Sequence, residues 1–151
     1  MERSVDASRL EGQAILDRLA ASVPEEIRRR LPPPCLLDMQ AEPVEYVDGE
    51  RLVMRFPVLE RYQNPYGYMQ GGFVLAALDN TIGPFSFLIA PPSVTTQVTI
   101  NYVRPVTEAE KHLTCIATVL ERTRKALYLT GRAVGDDGRL FAIAQATFQI
   151  V

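Results

Sequence analysis

Residues 64–79, Asn-Pro-Tyr-Gly-Tyr-Met-Gln-Gly-Gly-Phe-Val-Leu-Ala-Ala-Leu-Asp, decide how this chain is read. Gly71 and Gly72 open an apolar segment that continues to about residue 88. Asn64 stands six residues before Gln70, and Asp79 nine residues after it. Glycines at a helix start expose backbone N–H groups, a ready site for a carbonyl oxygen or an anion. Asp79 lies in a run that is otherwise almost wholly apolar, where a carboxylate is costly unless it is paired or used. Each feature has a plainer account on its own. Paired glycines serve turns or close packing, Asn64-Pro65 suits an ordinary turn, and an acid can simply hold a backbone N–H. The joint spacing, set before a core helix, favours a site.

The segment 71–88 is apolar nearly all round, which marks a helix enclosed by protein. Gly83-Pro84 should kink or end it. No apolar run comes near the ~20 residues of a membrane span. Before the helix, Leu52, Met54, Phe56 and Val58 alternate with more polar neighbours after an Asp48-Gly49 turn, so they read as a strand. Residues 36–47 read as the strand preceding it. After the helix, Val94, Thr96, Val98, Ile100 and Tyr102 face one way, with Thr95, Gln97, Thr99 and Asn101 opposite. Strands over 112–120, 126–134 and 139–150 follow, the last two joined by Gly135-Asp-Asp-Gly138. At the other end, residues 8–22 read as an amphipathic helix through Leu10, Ala14, Leu16 (or Ile15) and Leu19. A second helix starts at Pro24-Glu25-Glu26 and stops before Pro32-Pro33-Pro34. The run Arg28-Arg29-Arg30 suits a phosphate or, more plainly, a solvated helix end.

One apolar helix cannot cover both faces of six strands. The economical solution is an α+β arrangement, an antiparallel six-stranded sheet wrapped around a central helix, with extra N-terminal helices. The 151 residues suit one domain, 1–151, with a helical extension over 1–34 and the core from about 36 to 151. A hydrophobic content of 47% supplies a core, and a net charge of −2 offers no nucleic-acid surface. The N-terminal residues carry no signal-peptide pattern, so a cytoplasmic location with no membrane partner is expected. Cys35 and Cys115 are expected to be packed, reduced thiols, and no metal site is expected. His112, the only histidine, reads as a surface residue at the start of a strand.

This layout and motif resemble the hotdog fold, and in particular the PaaI-like acyl-CoA thioesterases of the phenylacetate-pathway group. Their pattern has an Asn, a His-Gly-Gly six residues on, and an acid nine residues past that His. Asn64, Gly71, Gly72 and Asp79 fall on it, and Val94-Thr95 with Ile100-Asn-Tyr-Val-Arg-Pro105 is similar to the family's next strand. The resemblance covers roughly residues 40–150. Gln70 departs, standing where the family usually has histidine. Glutamine donates and accepts hydrogen bonds but carries no proton at neutral pH, so it keeps a positioning role.

The resemblance implies hydrolysis of an acyl-CoA thioester with no cofactor. Gly71 N–H would bind the thioester oxygen, and Asp79 would serve as general base or as nucleophile. Asn64 would hold the attacking water or the carbonyl, and Thr95 would support Asp79 or the water. Gly72, Arg104, Arg122 and Arg124 are candidate coenzyme A contacts, although for the arginines solvated turn charges are the plainer account. The alternative is an acyl-CoA-binding protein with little or no catalysis. The helix itself adds a constraint. Gly71 and Asp79 are eight residues apart, ~12 Å along the axis, whereas reacting groups must converge within ~3–3.5 Å. A two-fold-related copy could lay its Asp79 against the first chain's Gly71. A homodimer or dimer of dimers with active sites at the interface is therefore expected, as in the family.

Overall fold

The computed structural model describes residues 8–151. Residues 1–7, which carry part of the N-terminal reading, lie outside that range. The chain runs β1 (Arg9–Glu11), α1 (Gln13–Ser22), α2 (Glu25–Arg28), α3 (Pro34–Asp38), β2 (Glu42–Val47) and β3 (Arg51–Pro57). A 3-10 turn (Glu60–Tyr62) leads to the long α4 (Gly71–Ile89). Then come β4 (Ser93–Tyr102), β5 (His112–Arg122), β6 (Ala126–Val134) and β7 (Leu140–Ile150). The strands form one sheet in the order β1-β2-β3-β5-β6-β7-β4, with every neighbouring pair antiparallel. This is the hotdog arrangement, with the sheet curled around α4.

The sheet has seven strands rather than the expected six. The additional strand is β1, inside the segment read as helix from residue 8. Gly12 at φ 56° separates it from α1. Arg9, Leu10 and Glu11 pair with Val47, Tyr46 and Glu45, and Arg9 reaches the Glu45 carboxylate at 3.0 Å. Within α1, Ile15 rather than Leu16 takes the core position beside Leu19. The expected strand over 36–47 also shortens. Pro34 in the first turn nucleates α3 through Asp38, which buries Leu36. Gln40 at φ 52° then turns the chain into β2. Arg28 and Arg29 both pair with Glu25, so part of the basic run is taken up at its own helix end.

The core lies between α4 and the concave face of the sheet. Leu52, Met54 and Phe56 point into it from β3, Leu113, Cys115 and Ala117 from β5, and Leu127 and Leu129 from β6. The small residues Ala142, Ala144 and Ala146 of β7 are buried as well, which lets the helix approach closely. Gly131 on β6 marks the tightest contact. A Cβ there would lie 2.7 Å from Ile82 Cδ1 and 3.0 Å from Leu78 Cδ2. Gly131→Ala should therefore push α4 off the sheet and destabilise the fold by about 1–3 kcal/mol. A thermal melt checks this, and an unchanged Tm would contradict the close approach.

By length and composition α4 could cross a membrane, contrary to the reading that no run comes near a span. Val74, Ala77, Leu78, Ile82 and Phe85 are buried along it. The helix also continues through Gly83-Pro84 to Ile89. Ser86 Oγ donates to the Gly83 carbonyl at 2.6 Å in this turn. Of the two thiols, Cys115 is buried but Cys35 is exposed, with its Sγ 3.7 Å from Asn80 Oδ1. His112 starts β5 and sits 3.7 Å from Asp136.

Candidate active site

The loop before α4 is shaped by Asn64. Its Oδ1 accepts from the N–H groups of Tyr66 at 2.9 Å and Tyr68 at 3.2 Å, and its backbone N–H donates to Tyr68 O at 2.7 Å. Gly67 at φ 78° closes the turn. Asn64 Oδ1 is thus engaged in building the loop. A contact with water or substrate would fall to its Nδ2, for which no protein hydrogen bond is found among the described residues.

Gln70 caps α4 in extended conformation, with no side-chain bond to the helix end. Its amide is exposed and free of any capping duty. The first N–H groups bonded to the Gln70 carbonyl are those of Phe73 and Val74. Those of Gly71 and Gly72 are among the donors that a helix start leaves without an intrahelical acceptor. Tyr102, from β4, lies over this start. Its hydroxyl donates to Gly71 O at 2.7 Å, and a Cβ on Gly71 would sit 2.9 Å from its ring. Glycine at 71 therefore keeps a bare backbone under the tyrosine. Alternation placed Tyr102 beside Val98 and Ile100, but its partnership with Gly71 left no mark in the sequence.

Asn64, Gly71, Tyr102 and Arg104 line one cavity of about 290 Å³. A separate groove of about 310 Å³ is lined by Gly72, Leu75, Ala76, Asp79, Thr95 and Val98. One chain thus holds the proposed oxyanion donor and the proposed base in different hollows, as the ~12 Å helix separation requires.

Thr95 reaches the Asp79 groove through an irregularity. The β4–β7 register steps from Thr95↔Phe148 to Gln97↔Thr147, leaving Thr96 as the extra residue of a bulge. Strict alternation set Thr95 opposite Val98. The bulge corrects this and turns both to the helix side, where they line the groove with Asp79.

Asp79 makes no ion pair or hydrogen bond among the described residues. Although exposed to solvent in the single chain, it is crowded by apolar neighbours, and burial raises its carboxyl above the usual aspartate value. An unpartnered carboxyl with a raised pKa, set on an apolar helix in the wall of a groove, is a candidate functional group.

Residues 66–142, half of the chain, match the family model described as the thioesterase superfamily. The chain belongs to the thioesterase superfamily. Thioester hydrolysis is the chemistry that membership indicates. A comparison with curated proteins finds no match. Among solved structures, a conserved protein of Pseudomonas aeruginosa is 28% identical over 82% of this chain and 98% of its own, with a TM-score of 0.73. The PaaI protein of the Escherichia coli phenylacetic acid degradation operon is 14% identical over 91% and 96%, with a TM-score of 0.74. A Streptococcus mutans protein bound to acetyl CoA is 19% identical over 69% and 83%, with a TM-score of 0.65. The last two show a shared fold.

Within this superfamily member the candidate coenzyme A contacts separate. Arg104 lines the Gly71 cavity and donates to Leu140 O at 2.7 Å. Arg122 lies at the opposite end of α4, donating to Ile89 O at 2.7 Å. Exposed Arg124 is on the same β5–β6 turn. Of these three arginines, only Arg104 lines the hollow that holds Gly71. Gly72 lies in the Asp79 groove.

Proposed function

We propose that the protein hydrolyses an acyl-CoA thioester to the free acid and coenzyme A. The observation that carries this reading is the unpartnered Asp79 carboxylate, raised in pKa and grooved beside Thr95. Gly71 N–H receives the thioester oxygen as negative charge builds on it, aided by the helix dipole. In one route a water held near Asn64 Nδ2 or Thr95 Oγ1 attacks the carbonyl carbon while Asp79 takes its proton. In the other, Asp79 attacks directly and water hydrolyses the resulting anhydride. In both, the C–S bond breaks and coenzyme A leaves as the thiolate. In this reading Arg104, which lines the Gly71 cavity, meets a phosphate of coenzyme A.

The site is completed by a second copy. β4 is a ten-residue edge strand, and a long open edge is a template for pairing. Gly72, Leu75 and Ala76 form an uncovered apolar face next to it. Pairing of two such faces would lay Asp79 of one protomer against the Gly71 start of its partner. A homodimer, alone or as half of a tetramer, is the working unit in this reading.

Gln70 favours one competing reading, acyl-CoA binding without useful turnover, because it cannot relay a proton. Thiol release from a broad acyl-CoA panel, set beside binding of the same compounds, separates the two. Turnover supports the thioesterase, whereas binding without thiol release contradicts it. If Gln70 positions groups through its amide, Gln70→His should keep or raise the rate. Gln70→Ala should lower kcat by about tenfold, the worth of one hydrogen bond that strengthens in the transition state. Full activity in Gln70→Ala on the best substrate would remove that role.

A further inference from the structure

Behind Asp79 lies a second hollow, of about 240 Å³, that the catalytic residues alone leave unexplained. Asp79 and Thr95 line both it and the open groove, so the reacting centre sits where the two meet. Its far wall comes from the N-terminal segments, through Leu19, Leu31, Pro33 and Leu36. Those residues lie outside the 66–142 stretch that the family shares. Phe87 and Phe148 close the sides. Such walls hold an apolar group, and a cavity of ~150 Å³ already accepts benzene. This one suits an acyl group of about six to eight carbons.

Ser93 also lines this hollow. It is 8% exposed, and its hydroxyl is the one buried side-chain polar atom among the described residues with no hydrogen-bond partner. Buried hydroxyls are nearly always satisfied, so an orphan in a cavity wall calls for an explanation. A ligand oxygen supplies one. Ser93 and Thr95 are two residues apart on a regular stretch of β4, paired with Ile150 and Phe148, hence ~7 Å apart on one face. An extended chain advances ~1.2 Å per bond, so an oxygen opposite Ser93 lies about six bonds from a carbonyl held beside Thr95.

We propose that the substrate's acyl group occupies this cavity and that Ser93 selects acyl groups bearing an oxygen about six bonds from the thioester carbonyl. The proposal rests on the acyl-CoA reading above. Ser93 is a specificity residue, outside the bond-making machinery. Because its hydroxyl makes no bond in the protein, Ser93→Ala should fold normally.

The test measures binding of two hydrolysis-inert thioethers, S-hexyl-CoA and S-(6-hydroxyhexyl)-CoA, by calorimetry. It also measures turnover of hexanoyl-CoA, 6-hydroxyhexanoyl-CoA and 3-hydroxyhexanoyl-CoA. Wild type should favour the 6-hydroxy compound of each pair by about tenfold, the scale of one net hydrogen bond. Ser93→Ala should bring that ratio to about one, and the 3-hydroxy compound should show no Ser93-dependent preference. Leu31→Phe, which narrows the cavity, should weaken binding of S-hexyl-CoA relative to S-butyl-CoA, and an unchanged ratio overturns the placing of the acyl group here. A preference that appears in binding and disappears in Ser93→Ala supports the proposal even if no thioester is hydrolysed, a result that would move the protein to the binding reading. Equal binding of the two thioethers to wild type, or a preference that survives Ser93→Ala, overturns the proposal, while turnover of hexanoyl-CoA would leave the thioesterase reading standing. No binding and no turnover overturns both.

Discussion

Asp79→Asn should lower kcat by about 10²-fold or more, the usual cost of losing a general base, while the protein stays folded. The carboxyl is held above the usual aspartate value by burial. The sign of the linked stability follows. With the folded pKa above the unfolded one, the folded state keeps its proton to higher pH. That contribution is complete below the unfolded pKa and is lost as pH rises through the folded one. At neutral pH the charged Asp79 is therefore a burden on the fold, and Asp79→Asn should leave Tm unchanged or raise it. Activity runs the other way, because the base must be ionised. The acid limb of kcat/KM should lie above the range of an ordinary aspartate and vanish in the variant. A structural acid would give the reverse pattern, with Tm falling and turnover kept.

Gly71→Pro should be nearly as damaging, on the order of 10²–10³-fold in kcat, the range for one lost oxyanion donor. Proline removes the N–H, and it is at home in the first position of a helix. It also requires an extended residue before it, and Gln70 already has φ −60° and ψ 138°. Gly71→Ala is the control. It keeps the N–H but sets a Cβ 2.9 Å from the Tyr102 phenol, so its loss measures steric disturbance alone. Gly71→Ala should retain clearly more activity than Gly71→Pro. Equal losses in the two would place the importance of Gly71 in packing against Tyr102 and remove its N–H from the mechanism.

The core helix and the strands around it were legible because period and burial agree there. Leu52, Met54 and Phe56, or Ala142 to Phe148, can face only one way if the core is to close. The three-residue β1 was not legible. Its pairing with Tyr46 and Glu45 is set by a partner more than thirty residues away and by the turn at Gly12, against a local helical period. Residues 36–38 mislead for a similar reason, since the apolar run Cys35-Leu36-Leu37 fits a strand until Pro34 seeds a helix turn. Gly83-Pro84 suits either a kink or a stop by sequence, and the stop is ruled out because the helix runs on to Ile89. At the site, the spacing of Asn64, Gly71 and Asp79 and the separation of Gly71 from Asp79 were visible, but the strand residues that join each of them in its hollow were not. The bulge at Thr96 reverses the face of Thr95 without a glycine or proline to signal it. The hollow behind Asp79 depends on Leu19, Leu31 and Leu36 arriving from segments that share no motif with it.

If each site is built from two chains, subunit exchange tests it most directly. Asp79→Asn and Gly71→Pro chains are each inactive as homodimers in this account, since every site carries the defect. In a mixed dimer one site collects both defects and the other has neither. After exchange, with heterodimers verified by differential tagging, activity should return to about half the wild-type value per mixed dimer. Verified heterodimers that remain inactive, or a monomer that hydrolyses acyl-CoA, would contradict the shared site.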